Sequence, residues 1–230
     1  MIPISVVIPC FPRDTNKLKI CLDSIENQTI IPKEVIIGHS EISNEECDIL
    51  KKKFIYSFTV IFSSTLKKCF AAENRNRAST LSTCKYISFF DSDDEMHPQR
   101  LDILWQIINK YKPKSIIHSF SKNNDLMNKI FENPKENQII FGSEIYDLSQ
   151  KRKRKIWIDP RFNHGHSTIN IDVLKDVKFD QRDQFKRGQD CKFLRDILNK
   201  YPVDKKTMIF IDLPLSYYKP SVEQKIETKK

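Results

Sequence analysis

Residues 86 to 98 read Tyr86-Ile87-Ser88-Phe89-Phe90-Asp91-Ser92-Asp93-Asp94-Glu95-Met96-His97-Pro98. An apolar strand, Tyr86 to Phe90, runs into three carboxylates, Asp91, Asp93 and Asp94. A helix is expected behind Pro98, a residue suited to a first helical turn. Carboxylates at the carboxyl end of a buried strand lie where open α/β sheets place their ligands. Asp91 and Asp93, separated by one small residue, can turn oxygens toward a single hard cation, and Mg²⁺ or Mn²⁺ takes oxygen ligands. The cluster therefore points to a divalent metal shared with a nucleoside diphosphate. The bland alternative is a solvated acidic loop in which Asp94 and Glu95 serve only the positive end of the next helix. The rest of the chain bears on the choice.

Working outward, strand-like and helix-like segments alternate through the first half, the pattern of an α/β unit with a largely parallel sheet. Ile4 to Pro9 is a β-branched run, and Leu18, Cys21, Leu22 and Ile25 then recur at helical spacing. Glu34 to Ile37 and Phe58 to Phe62 read as further strands. Phe70 to Leu81 reads as a helix, rich in good formers. Behind Pro98, the stripe Leu101, Leu104, Trp105, Ile108 and Tyr111 predicts a core-facing helix, followed by a strand over Ser115 to Phe120. Residues 121–155 are polar and irregular, the profile of a loop-rich insertion. Gly188-Gln189-Asp190 opens a helix with apolar positions Phe193, Leu194, Ile197, Leu198 and Tyr201. Met208 to Leu213 reads as the last strand, and the final ten residues are polar.

Composition narrows the function classes. No window approaches the roughly 18 uninterrupted apolar residues of a membrane span. The N-terminus lacks the basic flank of a signal peptide and reads as a first strand, so a cytoplasmic protein, at most peripheral to a membrane, is expected. Six cysteines are scattered with no C-x-x-C pair, which argues for reduced, packed thiols over a structural zinc site. The formal net charge is +9, yet its only basic block is Lys151, Arg152, Lys153, Arg154 and Lys155. No nucleic-acid-binding motif accompanies that block. It reads as a solvated loop or a weak contact with an anionic surface, and no specific nucleic acid is expected.

In this order, the segments resemble the family 2 glycosyltransferases, enzymes of the GT-A fold. Val6-Val7-Ile8-Pro9-Cys10-Phe11 resembles the opening strand and its nucleotide-contacting turn. Pro32-Lys33-Glu34-Val35-Ile36-Ile37 resembles the second strand. Asn74-Arg75-Asn76-Arg77-Ala78 is similar to the family's Arg-Asn helix. Phe89-Phe90-Asp91-Ser92-Asp93-Asp94 is similar to its Asp-x-Asp segment, and Arg187-Gly188-Gln189-Asp190 to the motif holding the catalytic base. The resemblance implies an open, mostly parallel sheet flanked by helices. It implies a single domain over residues 1–220, with a nucleotide-sugar half at 1–97, a loop-rich acceptor half at 98–220 and a polar tail at 221–230.

It also implies transfer of a sugar, with inversion, from a nucleoside-diphosphate sugar (a UDP-sugar foremost) to an acceptor hydroxyl on a glycan, glycoprotein or other molecule. Asp93 and Asp91 would hold Mn²⁺ or Mg²⁺, and Asp190 would be the general base. Pro9, Cys10, Phe11, Arg13, Ser40, Arg75, Asp91, Ser92 and Lys219 would surround the nucleotide and diphosphate. Trp157, His164, His166 and Gln189 would stand on the acceptor side, the histidines alternatively completing the metal shell.

Three departures stand out. Where the family usually carries an Asp that reads the base, this chain has Gly38-His39-Ser40. The first turn is Cys10-Phe11-Pro12, and Gln189 replaces an acidic neighbour of the base. A catalytically silent binder that keeps the fold is thus one rival, and nucleotidyl transfer is another. The absence of a Gly-rich phosphate loop (the first glycine is Gly38) weighs against the second.

Overall fold

The computed structural model describes residues 1–142, 144–145, 165–182, 188–202 and 204–219. Trp157, Phe162, His164, Arg187, the basic run 151–155 and the tail 221–230 lie outside the described residues. Among those described, the chain runs β1 (Ile2–Cys10), α1 (Leu18–Glu26), β2 (Pro32–Ser40), α2 (Asn44–Lys53), β3 (Thr59–Thr65), α3 (Ala71–Ser79) and β4 (Tyr86–Phe89). There follow β5 (Glu95–Met96), α4 (Arg100–Tyr111), β6 (Ser115–Ser121), β7 (Ile139–Phe141), β8 (Thr168–Asn170), α5 (Val173–Asp176), α6 (Gln189–Lys200) and β9 (Met208–Tyr217). One sheet holds all nine strands in the order β3-β2-β1-β4-β8-β6-β9-β5, with β7 pairing β9 beside that path.

β3, β2, β1 and β4 are mutually parallel. β8 pairs antiparallel with both β4 and β6, β9 pairs parallel with β6, and β5 and β7 pair antiparallel with β9. Six strands thus share one direction and three oppose it, so the expected mostly parallel sheet is what forms.

Strand alternation builds two cores. Ile4, Val6 and Ile8 of β1 face the cluster containing Leu18, Leu22 and Ile25 of α1 and Leu101, Leu104 and Ile108 of α4. Val7, Ile36, Ile87 and Phe89 face the other, with Ala72 and Ala78 of α3 and Phe193, Leu194 and Ile197 of α6. Strands buried on both faces read as continuous apolar runs, which is why β1, β2 and β4 were legible. Trp105 and Tyr111 are only half-buried at the rim of α4, whose inner face is completed by Ile103 and Ile107.

Several elements escape the sequence reading. α2 buries only Cys47, so it has almost no apolar stripe. Its signature is a capping box instead: Ser43 Oγ accepts from Glu46 N, and Glu46 accepts from Ser43 N. β7 lies inside the stretch read as loop, and β9 extends through Pro214 to Tyr217, past the predicted end at Leu213. That extension brings β9 beside β5 and, at its end, to the acidic loop.

Candidate active site

The acidic loop follows β4 at the carboxyl end of the sheet's parallel half. Asp94 is buried, and its Oδ1 accepts from the backbone N–H of Lys219, 2.8 Å away, just beyond β9. The Lys219 ammonium pairs with Glu95. Asp94 Oδ2 lies 3.0 Å from His166 Nε2 and has no hydrogen-bond partner among the described residues. Asp91 Oδ2 is 3.7 Å from the same nitrogen. Ligand atoms from Asp91, Asp94 and His166 all lie within 4.8 Å of one another. His166, expected on the acceptor side or in the metal shell, therefore joins the acidic loop. Its ring packs against Phe90, centroids 4.5 Å apart.

Electrostatics mark this trio as short of positive charge. Burial, then the charge of Asp91, holds the Asp94 carboxyl well above its ordinary range. Burial, then Asp94 and Asp91, pushes Asp93 up to about 7. Burial drives His166 down to about 3, so its imidazole is neutral at neutral pH and can ligate. Two carboxylates and a neutral imidazole around an orphaned buried oxygen fit a divalent cation such as Mn²⁺ or Mg²⁺. Asp93 stands outside the trio: its carboxylate is 3.7 Å from Lys17, whose ammonium also binds the buried Asp14 at 2.7 Å.

The opposite oxygen of Asp91 meets a different partner. Arg75 donates to Asp91 Oδ1 at 2.6 Å and to Asp190 Oδ1 at 2.8 Å, one guanidinium joining the acidic loop to the start of α6. The Arg75 side chain is 4% exposed and lies over the Phe179 ring at 5.2 Å. Phe179 stacks on Phe193 of α6, with centroids 4.0 Å apart, and meets Phe89 edge-on. Gly188 precedes α6 with φ of 79°, the left-handed conformation that glycine adopts without strain. Gly165 passes so close that a Cβ there would collide with the Arg75 guanidinium and lie 3.2 Å from Asp91 Oδ2. Burial raises Asp190 above the ordinary carboxylate value, with Arg75 opposing. A carboxylate raised in this way is a better base than an ordinary one.

On the nucleotide side, Pro9 pairs with Gly38 and Cys10 with His39 where β1 and β2 end. Asn74 donates to Cys10 O and Ser40 Oγ, and Arg77 donates to His39 O, Ser63 O and Asn74 Oδ1. The Arg-Asn helix thus fastens the ends of three strands. Cys10 is buried and its thiol is pushed up to about 12, chiefly by burial, so it packs rather than reacts. The Arg13 guanidinium, largely exposed, lies over the half-buried Phe11 ring at 5.7 Å. His39 bonds to Thr15 Oγ1 and Ser40 O, beside a cavity of about 330 Å³ lined partly by Pro12, Thr15, Ile42 and Leu50. Ser92, within the acidic loop, and Gln189, beside Asp190, are both buried.

Two residues near the site were missed in sequence: Lys17 and Arg100. Lys17 carries no signal beyond its place at the start of α1. Arg100 does carry one, a cation at the head of the apolar α4 stripe.

A sheet whose parallel half ends in such an acidic cluster, with a carboxylate delivered from a distant helix, is the arrangement of the GT-A fold. The model of glycosyl transferase family 2 matches residues 5–177, and the chain belongs to that family. It is 25% identical over 203 residues to an uncharacterized glycosyltransferase, MJ1057, of Methanocaldococcus jannaschii, covering 87% of this chain and 67% of that protein. It is 30% identical over 156 residues to the poly(ribitol-phosphate) beta-N-acetylglucosaminyltransferase TarP of Staphylococcus aureus, covering 64% of this chain and 46% of that one.

Among solved structures, S. aureus TarS 1-349 in complex with UDP matches with a TM-score of 0.67 at 18% identity, over 98% of this chain and 63% of that one. Glucosyl-3-phosphoglycerate synthase from Mycobacterium tuberculosis, in complex with Mn²⁺, UDP and phosphoglyceric acid, matches with a TM-score of 0.62 at 14% identity, over 97% of this chain and 73% of that one. Those likenesses establish the fold. The chain spans less than half the length of TarP and under two thirds of the TarS fragment. No helix among the described residues is long and apolar enough to cross a membrane.

Proposed function

We propose that this protein is a metal-dependent, inverting glycosyltransferase that moves a sugar from a nucleoside-diphosphate sugar, UDP-linked, to an acceptor hydroxyl. The observation that carries the reading is the Arg75 bridge, which sets a base-competent Asp190 beside the acidic cluster. The acceptor oxygen attacks the anomeric carbon from the face opposite the diphosphate and forms the new C–O bond. The old bond to the phosphate oxygen breaks, and the nucleoside diphosphate departs with its electron pair. Asp190 takes the hydroxyl proton, and Arg75 holds that carboxylate in place. Asp91, Asp94 and His166 would hold a Mn²⁺ or Mg²⁺, with Asp93 alongside, and the ion would supply Lewis-acid stabilisation of charge on the departing diphosphate.

Phe11 and Arg13 flank the nucleotide, and Pro9, Cys10, Ser40 and Ser92 shape the floor beneath it. Lys219 anchors Asp94 through its backbone. The UDP and Mn²⁺ bound by the structural neighbours support this donor and ion. The net charge of +9, the basic run 151–155 and the ribitol-phosphate polymer in the TarP name support an anionic acceptor.

Calorimetric titration of UDP and GDP, with and without Mn²⁺, tests the donor side without the acceptor. Metal-dependent UDP binding that is lost in Asp91→Ala is the expected result. A folded protein that binds neither nucleotide would sink the proposal, and a GDP preference would change the donor while keeping the reaction.

A further inference from the structure

Among the described residues, Arg100 is the largest side chain that is completely buried. Everything local disfavours it. It sits at the positive end of α4, among a stripe where an aliphatic side chain would pack without penalty. Its Nε and Nη1 have no hydrogen-bond partner, and no carboxylate forms an ion pair with it among the described residues. Burial pushes the guanidinium down to about 9, even though Asp91 and Asp94 favour its charge. A cation retained in such surroundings calls for a compensating role.

What it does make is specific. Nη2 donates to Ser88 Oγ at 3.0 Å, to Phe89 O at 3.0 Å and to His166 O at 3.2 Å. Phe89 O and His166 O belong to the two segments that carry the cluster, one ending two residues before Asp91 and the other bearing His166 itself. The β4–β8 ladder stops at Ser88 and Thr168. Beyond it, one backbone bond, Phe89 N to Ser167 O at 2.8 Å, continues the contact, and the Arg100 nitrogen then spans the pair. The guanidinium also lies over the Phe90 ring at 4.8 Å, the ring against which His166 packs. His166 is thereby fixed through both its main chain and its ring.

We propose that Arg100 is a positioning residue for the cation site, setting His166 against Asp91 and Asp94 and keeping a positive charge behind the carboxylates. This rests on the metal reading of the trio. Ordered outer partners of this kind change metal affinity by about 10–100-fold when removed.

The test is Mn²⁺ binding without nucleotide, followed by calorimetry and by the electron paramagnetic resonance of free Mn²⁺, with thermal melting recorded alongside. Arg100→Met should bind Mn²⁺ about 10–100-fold more weakly while still melting cooperatively. Arg100→Lys, which restores a charged donor, should recover most of that loss. Should Arg100→Met fail to fold, Arg100→Gln, neutral but still a donor, replaces it with the same expected loss. Wild-type Mn²⁺ affinity in whichever neutral variant folds would overturn the assignment. Wild-type protein that binds no Mn²⁺ at all would overturn the metal reading beneath it, a distinct result seen before any variant is made.

Discussion

The two oxygens of Asp91 face opposite solutions to one problem. On the Oδ1 side, a second carboxylate, Asp190, is brought in together with its own cation, Arg75. On the Oδ2 side, Asp94 is brought in with a neutral histidine and, among the described residues, no Lys or Arg side chain at ion-pair distance, Arg100 acting only from behind. The first half of the site is charge-compensated as folded, whereas in the second burial and neighbouring carboxylates hold Asp94 and Asp93 above their ordinary range. Charge balance therefore distinguishes the two halves, and in the proposed reaction the first would handle the proton and the second the diphosphate.

Breaking the self-compensated half should have the larger consequences. Asp190→Asn removes the proton acceptor and keeps the shape, so transfer should slow by about 10²–10⁴-fold, while UDP binding with Mn²⁺ is unchanged. Steady-state rates beside a calorimetric titration check this. Arg75→Met leaves Asp91 and Asp190 facing each other without their shared cation, at a cost of about 3 kcal/mol in unfolding free energy by urea denaturation. Gly165→Ala forces a methyl against the guanidinium and should cost about 1–3 kcal/mol, with transfer falling as the Arg75–Asp190 contact is displaced.

The other half predicts the reverse sign. Asp94→Asn should stabilise the metal-free protein by about 1–2 kcal/mol, since it removes an uncompensated buried charge and keeps the bond from Lys219. The same variant should lose Mn²⁺ binding. The pH dependence has the same origin. Burial and the neighbouring carboxylates push Asp93 up to about 7 from an ordinary 3.8, and hold Asp94 well above its ordinary range. Between those pH values the native state holds protons that the unfolded state has lost. Metal-free stability must then fall as pH rises from about 4 to about 7, by at most about 1.4 kcal/mol per pH unit for each group. Stabilisation by Mn²⁺ should grow over the same interval, and melting curves with and without the ion at pH 5, 6, 7 and 8 measure the widening gap.

The same contrast explains what was legible in the chain. β1, β2 and β4 are buried on both faces, and α1 and α4 carry clear helical stripes, so local pattern sufficed. The acidic loop was legible because its carboxylates are adjacent. β8 is three residues of modest strand character, Thr168, Ile169 and Asn170, placed between β4 and β6 by pairing alone. Its placement is what carries His166 to Asp94, and no local pattern encodes that encounter. The order of the Asp91 partners was hidden for the same reason: Arg75, Asp91, His166 and Asp190 meet only once α3, β4 and α6 are assembled. Arg100 could have been noticed as a cation misplaced in an apolar stripe, although its purpose needed the two carbonyls it holds.

The Phe179–Phe193 stack beneath Arg75 has a consequence for ionic strength. A stacked aromatic pair is untouched by dissolved ions, and the Arg75 side chain above it is almost fully shielded from solvent. The spacing between Asp190 and the acidic loop should therefore hold in salt that screens the exposed Arg13. Added salt should raise the donor concentration needed for half-maximal rate and leave the rate at saturation nearly constant. Recruitment is then sensitive to the surrounding electrolyte, and the chemical step is insulated from it.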